Sequence, residues 1–298
     1  MSTHFYNLYG FSVASEIALP YLLPSIGGEP DVHIVYGDVP RSLTDPTTAS
    51  TYWQVAQREF LFDMAGVAGY LVRNGQHIRV APYPDATEDD IRVYLMGTVL
   101  AVLLQQRGFF VLHASTIETS SGAVLFTGHS GLGKSTLLAA MLQRGYAMLT
   151  DDKAAMILDD SGNPLTVPGF PANRLWSETV NKLVYPQDNL TRLRPSLDKY
   201  VLPVRNFCSK QLKVRAIYQL LSHDRDEISL IPLTGIECFQ AIVHNIFEPY
   251  IAHALKLGPH NFKVTEALIA RARVVRVTRP NHNFQLDELV AHIEEDLL

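Results

Sequence analysis

A glycine-rich segment that ends in lysine and serine carries the clearest chemistry in this sequence. Residues 128–135 read Gly-His-Ser-Gly-Leu-Gly-Lys-Ser, which matches the phosphate-loop pattern G-x-x-x-x-G-K-S/T. The apolar run at 124–126 predicts a strand before this loop, and the apolar periodicity after it predicts a helix that begins at Lys134. Strand, loop and helix are the context that the motif requires. We therefore predict that the segment binds nucleotide phosphates.

The residue types of this phosphate loop have separate predicted roles. Its glycines permit backbone conformations in which successive N–H groups turn toward a phosphate. Lys134 is expected to reach the β- and γ-phosphates, and the Ser135 hydroxyl is expected to bind Mg²⁺. The predicted nucleotide-binding residues are Gly128, His129, Ser130, Gly131, Leu132, Gly133, Lys134, Ser135 and Thr136. We expect ATP and Mg²⁺ as cofactors, although the sequence leaves the nucleotide preference open.

Two adjacent aspartates, Asp151 and Asp152, end the next apolar run, sixteen and seventeen positions after Ser135. In phosphate-loop proteins a carboxylate at a strand end helps to hold Mg²⁺. One aspartate can therefore help to bind the metal with Ser135, while the other accepts a proton from an attacking hydroxyl. The order of these two roles is left open. Because neighbouring strand residues face opposite ways, both can serve only if the strand has ended by Asp151.

Composition and charge exclude several function classes. The 298 residues include 25 basic and 30 acidic side chains, and this net charge of −5 gives no electrostatic case for nucleic acid or an anionic membrane as a partner. No apolar run reaches the roughly 18 residues of a bilayer-spanning helix, and the first residues lack a basic or apolar signal. Cys208 and Cys238 show no metal-binding spacing, so we expect reduced, buried thiols. A cytoplasmic location is the expectation.

The patterning of the chain predicts a mixed α/β (α+β) fold with a β-rich beginning. Short alternating runs and an Asn74-Gly75 hairpin signal predict strands through residues 1–84, which we expect to form a small β-rich N-terminal domain. A capping-box signal then opens an apolar helix that we expect to be buried between the two parts of the chain. Residues 85–298 are the predicted phosphate-loop domain, and 85–108 is its connecting helix.

Three other features have weaker signals. His113 falls inside a predicted strand at 109–117, where a buried core histidine is the default interpretation. Residues 168–176 contain too much proline and glycine to predict a regular element. Arg174 and Lys199 each lie in a compact motif after the aspartates, so we expect them to neutralise charge in a transition state, although solvated basic residues would fit equally well.

Several of these features together resemble the catalytic domain of the HPr kinase/phosphorylase family. They are His113, the phosphate loop, Arg144-Gly145-Tyr146 and Thr150-Asp151-Asp152. The resemblance covers about residues 107–160. It implies an HPr-kinase/carboxykinase-like core in which Lys134 and Asp152 act in phosphoryl transfer to a serine hydroxyl. It further implies that His113 is an active-site residue and that Asp151 supports Asp152 or the metal.

The resemblance is incomplete downstream. The family's Leu-Glu-Ile-Arg-Gly-Leu-Gly signature, with its metal-binding glutamate, is absent, and residues 1–84 do not resemble the family's N-terminal domain. The whole layout looks closer to the HPr-kinase-like proteins of bacterial peptide-tailoring clusters, whose members acting on lasso-peptide precursors phosphorylate a C-terminal serine. This resemblance implies a serine-containing peptide and a nucleotide as partners. A small-molecule kinase, an ATPase without a phosphoacceptor and a homo-oligomeric state all stay open.

Overall fold

A computed structural model describes residues 2–183, 190–194, 197–282 and 285–298. These residues form a mixed α/β fold with three β-sheets. The strands of the first sheet are β1 (His4–Leu8), β2 (Phe11–Ser15), β3 (Leu23–Pro24), β4 (Val32–Tyr36), β5 (Thr48–Ala49), β6 (Trp53–Ala56), β7 (Glu59–Met64), β8 (Ala68–Arg73) and β9 (His77–Pro82). Their order is β3-β1-β2-β4-β9-β8-β7-β6-β5. The β-rich character of the first part of the chain is confirmed, and its status as a separate domain ending at residue 84 stays a prediction.

The first hairpin of this sheet, between β1 and β2, has a two-residue turn that lies at the candidate functional site. Leu8 pairs with Phe11, so Tyr9 and Gly10 alone form the turn between β1 and β2. Both have positive φ, 50° for Tyr9 and 80° for Gly10, as a type I′ turn requires. The predicted hairpin at Asn74-Gly75 is also present, but its loop contains Gln76 as a third residue.

A buried helix connects the first sheet to the rest of the chain, as predicted. It consists of α1 (Glu88–Tyr94), a π-helical turn (Leu95–Val99) and α2 (Leu100–Gln106). The capping box is confirmed, since the Asp90 N–H donates to Thr87 Oγ1 over 3.1 Å and the Asp90 side chain accepts from the Thr87 backbone. One hydrophobic core includes Phe60 of β7, Leu103 of α2 and Ala155 from the following part of the chain. The helix therefore packs between the two parts.

The second sheet and a small third sheet contain the remaining strands. In chain order the elements are β10 (Phe110–Leu112), β11 (Ala114–Thr119), β12 (Gly122–Thr127), α3 (Lys134–Gln143), β13 (Ala147–Thr150), β14 (Ala154–Leu158), β15 (Pro164–Val167), β16 (Ala172–Trp176), α4 (Ser177–Lys182), β17 (Thr191–Arg194), β18 (Leu197–Pro203), β19 (Leu212–His223), β20 (Ser229–Pro232), α5 (Gly235–Val243), α6 (Pro249–Ala254), α7 (Gly258–Arg271), β21 (Arg273–Pro280) and α8 (Leu286–Leu297). The second sheet has the order β10-β14-β15-β19-β12-β11-β13, with β21 on β19 and β20 on β21. The third has the order β16-β18-β17.

The helix after the phosphate loop is fixed against this second sheet. Leu137 and Met141 of α3 are fully buried in a core with Phe126 of β12, Val275 of β21 and Ile293 of α8. Strand β12 itself is central, since it pairs with β11 on one side and in parallel with β19 on the other. The phosphate loop therefore joins two elements that are both buried, which holds its ends in place.

Two sequence expectations are wrong in detail. The strand predicted over 109–117 is interrupted at His113, because β10 pairs with β14 whereas β11 pairs with β12 and β13. Residues 172–176, predicted to be irregular, form β16. They pair with β18, so tertiary pairing outweighs the local composition, and proline and glycine are confined to 168–171.

Two other expectations concern the membrane and the cysteines. Among the described residues, none of the helices combines the length and apolar character needed to cross a bilayer. Cys208 and Cys238 are both buried, as predicted, and neither forms a disulfide.

Candidate functional site

The phosphate loop runs from the end of β12 at Thr127 to the start of α3 at Lys134, as predicted. Gly131 and Gly133 have φ of 87° and 93°, in the left-handed region that favours glycine. Gly128 has a further constraint, because a Cβ there would lie 2.7 Å from the Leu220 carbonyl oxygen of β19. The glycines therefore permit both the turn of the loop and its close approach to the sheet. Such a loop at a helix N-terminus is suited to an anionic phosphate.

The Lys134 side chain is buried beneath the loop. Its ammonium donates to the carbonyl oxygens of Gly128 over 2.7 Å and His129 over 3.0 Å. Burial lowers its pKa from the usual 10.5 to about 8, while the nearby carboxylates of Asp152 and Asp151 oppose that shift. Lys134 is thus held in the loop as a cation that loses its proton only a little above neutral pH.

This depressed pKa predicts a pH dependence of nucleotide binding. The charged ammonium attracts phosphate, so the nucleotide Kd is expected to rise about tenfold per pH unit above the pKa of about 8 and to level off below it. Calorimetric titration with a non-hydrolysable ATP analogue across this range measures the effect. In Lys134→Met the dependence should vanish and binding should be weak throughout. A wild-type Kd that is independent of pH contradicts the prediction.

Asp151 is held by four hydrogen bonds immediately after β13. Its Oδ1 accepts from the hydroxyls of Ser115 over 2.7 Å and Ser135 over 2.9 Å. Its Oδ2 accepts from Asn173 Nδ2 over 3.2 Å and from the Arg174 N–H over 2.9 Å. The side chain therefore has one orientation, with an oxygen directly beside the serine of the phosphate loop.

The oxygens around Asp151 fit a magnesium ion. Mg²⁺ at nucleotide sites is commonly bound by one or two carboxylates, substrate phosphates and several waters. Ser135 Oγ and Asp151 Oδ1 supply the protein part of such a set. The Oδ1 atom of Asn173 is buried without a hydrogen-bond partner in the described structure and can accept from a metal-bound water. In the described ranges, no cluster of three or more His, Cys, Asp or Glu side chains is placed to hold a metal ion.

Asp152 belongs to the same site because the strand has ended. Strand β13 stops at Thr150, and Asp152 has a φ of 75°, outside the range of strands. The predicted condition that the strand ends before the aspartate pair is therefore confirmed. As a result, Asp151 contacts the phosphate-loop serine while Asp152, with a quarter of its side chain exposed, lines the adjacent cleft.

Three basic groups surround the Asp152 carboxylate. Lys153 Nζ pairs with Oδ2, His113 Nδ1 lies 3.2 Å from Oδ1, and Arg174 Nη1 lies 3.8 Å from Oδ2. Burial alone would raise the pKa of Asp152, but the Lys153 ammonium, the His113 ring and the Arg174 guanidinium together hold it well below its usual range. Asp152 is consequently ionised at neutral pH.

His113 lies in the site and not in the hydrophobic core. The interruption between β10 and β11 directs its backbone N–H to the Asn245 carbonyl oxygen over 2.8 Å. Its ring contacts both the carboxylate and the backbone oxygen of Asp152, and it packs edge-on against Phe247 at 5.6 Å between ring centroids. The default interpretation as a core histidine is wrong, whereas the placement expected from the family resemblance agrees with this geometry.

Lys153 was not identified from the sequence. Its side chain is only 3% exposed, pairs with Asp152 and lies with Nζ 4.7 Å from the centroid of the Phe247 ring. Burial lowers its pKa, and the Asp152 carboxylate acts in the opposite direction. In the sequence, a lysine before the apolar run 154–157 looks like an ordinary strand end, so the pattern carries no signal for this role.

The first sheet contacts the aspartate turn directly through Tyr9. The Tyr9 hydroxyl donates to the Lys153 carbonyl oxygen over 2.8 Å and lies 3.2 Å from Thr150 Oγ1. Gly169 makes room for it, because a Cβ at that position would lie 2.6 Å from Thr150 Oγ1 and 3.1 Å from Tyr9 Cζ. Residues 1–84 show no catalytic pattern in the sequence, yet their hairpin tip supports the turn that carries Asp152.

A cleft of about 350 Å³ opens beside the phosphate loop, and its walls are basic. Arg174 and Lys199 both line it, and of these two Arg174 contacts Asp152; their role in neutralising charge stays a prediction. Arg279, at the end of β21, was not identified from the sequence. It donates to the Leu132 carbonyl oxygen over 3.0 Å and so ties the last strand to the phosphate loop. The cleft has the charge and size to hold polyphosphate.

Comparison with known proteins gives limited similarity. No protein-family model matches the chain. HPr kinase/phosphorylase from Lactobacillus delbrueckii subsp. bulgaricus is 36% identical over 73 residues, which is 24% of this chain and 22% of the relative. The same enzyme from Neisseria gonorrhoeae is 36% identical over 64 residues, 22% of this chain and 18% of the relative. The matched segment of 64 to 73 residues is similar to HPr kinase/phosphorylase. The similarity spans about a fifth of those relatives' length.

Among solved structures, the Hpr(Ser) kinase/phosphatase from Coxiella burnetii aligns with 62% of this chain and 89% of its own, at 12% identity and a TM-score of 0.35.

Proposed function

We propose that this protein is an HPr-kinase-like serine kinase that transfers a phosphoryl group from ATP to a serine hydroxyl of a peptide. The observation that carries the proposal is that two adjacent aspartates have different surroundings. Asp151 is bound to Ser135 of the phosphate loop, whereas Asp152 is an ionised carboxylate that faces the cleft beside His113. An ionised carboxylate in this position can accept a proton from an attacking hydroxyl, and the family resemblance favours a serine hydroxyl over water as the source of that proton.

The nucleotide is proposed to lie along the phosphate loop. The loop N–H groups and Lys134 bind its phosphates, and Arg174, Lys199 and Arg279 neutralise charge that develops during transfer. Ser135 and Asp151 are proposed to hold Mg²⁺. Bound Mg²⁺ would supply further charge neutralisation at the phosphates.

Asp152 is proposed to accept the proton of the serine hydroxyl. The serine oxygen forms the new bond to phosphorus, the bond to the bridging oxygen breaks, and ADP leaves. Because phosphoryl transfer has a loose transition state, the hydroxyl loses its proton late and a weak base is sufficient. His113 and Lys153 position the carboxylate and keep it ionised.

The substrate is proposed to be a peptide other than HPr. The layout of the chain resembles kinases of peptide-tailoring clusters, so the C-terminal serine of a lasso-peptide precursor is the proposed acceptor. An ATP-dependent reaction of this kind would take place in the cytoplasm.

Peptide phosphorylation in the presence of ATP and Mg²⁺ tests the proposal. We expect phosphoryl transfer to peptides with a C-terminal serine, measured by mass spectrometry, and no transfer to the same peptides with alanine in its place. ADP release measured in parallel gives the nucleotide consumed. Formation of ADP without phosphoserine in any of the peptides would contradict the proposal and favour an ATPase.

A further inference from the structure

A second cleft, of about 340 Å³, is also lined by His113. One wall is the start of the phosphate loop at His129, and the other is the segment 244–249 that joins α5 to α6. The two clefts share His113 and Ser130 as lining residues. They therefore meet at the side chain that contacts Asp152.

The wall formed by residues 244–249 is held in place by the backbone. The Phe247 N–H donates to the Val111 carbonyl oxygen over 2.9 Å, and Gln105 Nε2 donates to the Phe247 carbonyl oxygen over 2.8 Å. The His113 N–H bonds to the Asn245 carbonyl oxygen. This wall is thus attached both to the interrupted strand that carries His113 and to the buried connecting helix. A surface fixed in this way is suited to recognition.

The two clefts differ in charge. The nucleotide cleft contains Lys134, Arg174 and Lys199, which suits a polyphosphate. Among the described residues lining the second cleft there is no lysine or arginine, and its side chains are three histidines, Ser130, Asn245, one glutamate and apolar groups. A nucleotide triphosphate therefore belongs in the first cleft, and the second suits an uncharged or apolar partner.

We infer that the second cleft is the acceptor groove, where an extended peptide segment binds with an apolar side chain and directs its neighbouring serine hydroxyl past His113 to Asp152 in the adjoining nucleotide cleft. This inference rests on the proposed kinase function. In-line transfer requires that the attacking oxygen approach the phosphorus from the side away from the leaving oxygen, so the acceptor needs a route separate from that of the nucleotide. The second cleft, which shares His113 with the first, is such a separate route. Ile246, Phe247 and Pro249 supply the apolar contact surface.

The contacts of Phe247 link the acceptor groove to the base. Its ring packs against the His113 ring at 5.6 Å and under the Lys153 ammonium at 4.7 Å. Both of these groups contact Asp152. A peptide that packs on the 244–249 wall is thus aligned by the same side chain that aligns the proton acceptor.

Steady-state kinetics of His244→Trp test the inference. His244 is exposed on the groove wall, so tryptophan fills the groove without disturbing the core. We expect the KM for a serine peptide with a neighbouring leucine to rise about tenfold or more, with the KM for ATP within about twofold of wild type. The matched control His253→Trp, exposed on α6 outside the groove, should leave both KM values and kcat unchanged.

Two further measurements test whether the peptide and ATP bind at separate sites and whether the groove prefers an apolar side chain. The alanine analogue of the peptide should inhibit wild type competitively against peptide but not against ATP, and a peptide with aspartate in place of the leucine should be a poorer substrate. An unchanged peptide KM in His244→Trp, or an equal rise in both KM values, overturns the acceptor groove while transfer by wild type still supports the kinase. Absence of transfer to any serine peptide by wild type overturns the kinase function itself and the groove with it.

Discussion

Asp152→Asn is expected to lower the rate of serine phosphorylation by about 10²–10⁴-fold, the range contributed by a positioned general base. Asparagine has nearly the same shape as aspartate, and its single amide oxygen can still accept from Lys153 while its NH₂ group faces the His113 ring nitrogen, but it cannot take the serine proton. Nucleotide affinity should stay the same or increase, because a negative charge near the phosphate site is removed. Single-turnover transfer and calorimetric ATP binding measure the two effects separately.

Asp160→Asn is the matched control for this variant. Asp160 is exposed in the turn after β14, and the same change there should leave the transfer rate and the nucleotide Kd unaltered. Retention of near wild-type transfer by Asp152→Asn would show that Asp152 is not the proton acceptor. Loss of nucleotide binding together with transfer would instead assign Asp152 to the phosphate site.

Asp151→Asn is expected to lower transfer by about 10²–10³-fold, similar to the loss of one electrostatic group at a reaction centre. The amide keeps an oxygen for the Asn173 and Arg174 donors, and the Ser115 and Ser135 hydroxyls can rotate to accept from its NH₂ group. The fold should therefore survive, whereas the proposed metal loses an anionic ligand. The Mg²⁺ concentration for half-maximal transfer should rise, and titration of activity with Mg²⁺ at fixed ATP measures it.

Ser115→Ala distinguishes the loss of a metal ligand from the loss of a hydrogen bond that holds Asp151. It removes one hydrogen bond to Asp151, worth about 1 kcal/mol of stability, but leaves the carboxylate and Ser135 in place. Its Mg²⁺ requirement should change much less than that of Asp151→Asn, although thermal unfolding should occur at lower temperature. Equal Mg²⁺ requirements in Asp151→Asn and wild type would show that Asp151 does not bind the metal.

The parts of the site that the sequence predicted are local in the chain. The loop between β12 and α3 and the end of β13 before Asp151 follow from patterns within a few residues. The capping box at Thr87 is likewise a four-residue pattern, and it is present. Strand β16 was missed because its pairing partner β18 lies more than twenty residues away, and local proline and glycine obscured it.

The sequence alone determined a phosphate loop, a helix beginning at Lys134 and two carboxylates after the next strand. Local backbone preferences and motif spacing specify all three. Tertiary structure decided which groups surround Asp152, since the strand interruption at His113 and the burial of Lys153 depend on sheet pairing and packing. It also decided that Tyr9, 144 positions from Lys153, supports the aspartate turn. Contacts across such separations arise from packing of whole elements, which no local pattern encodes.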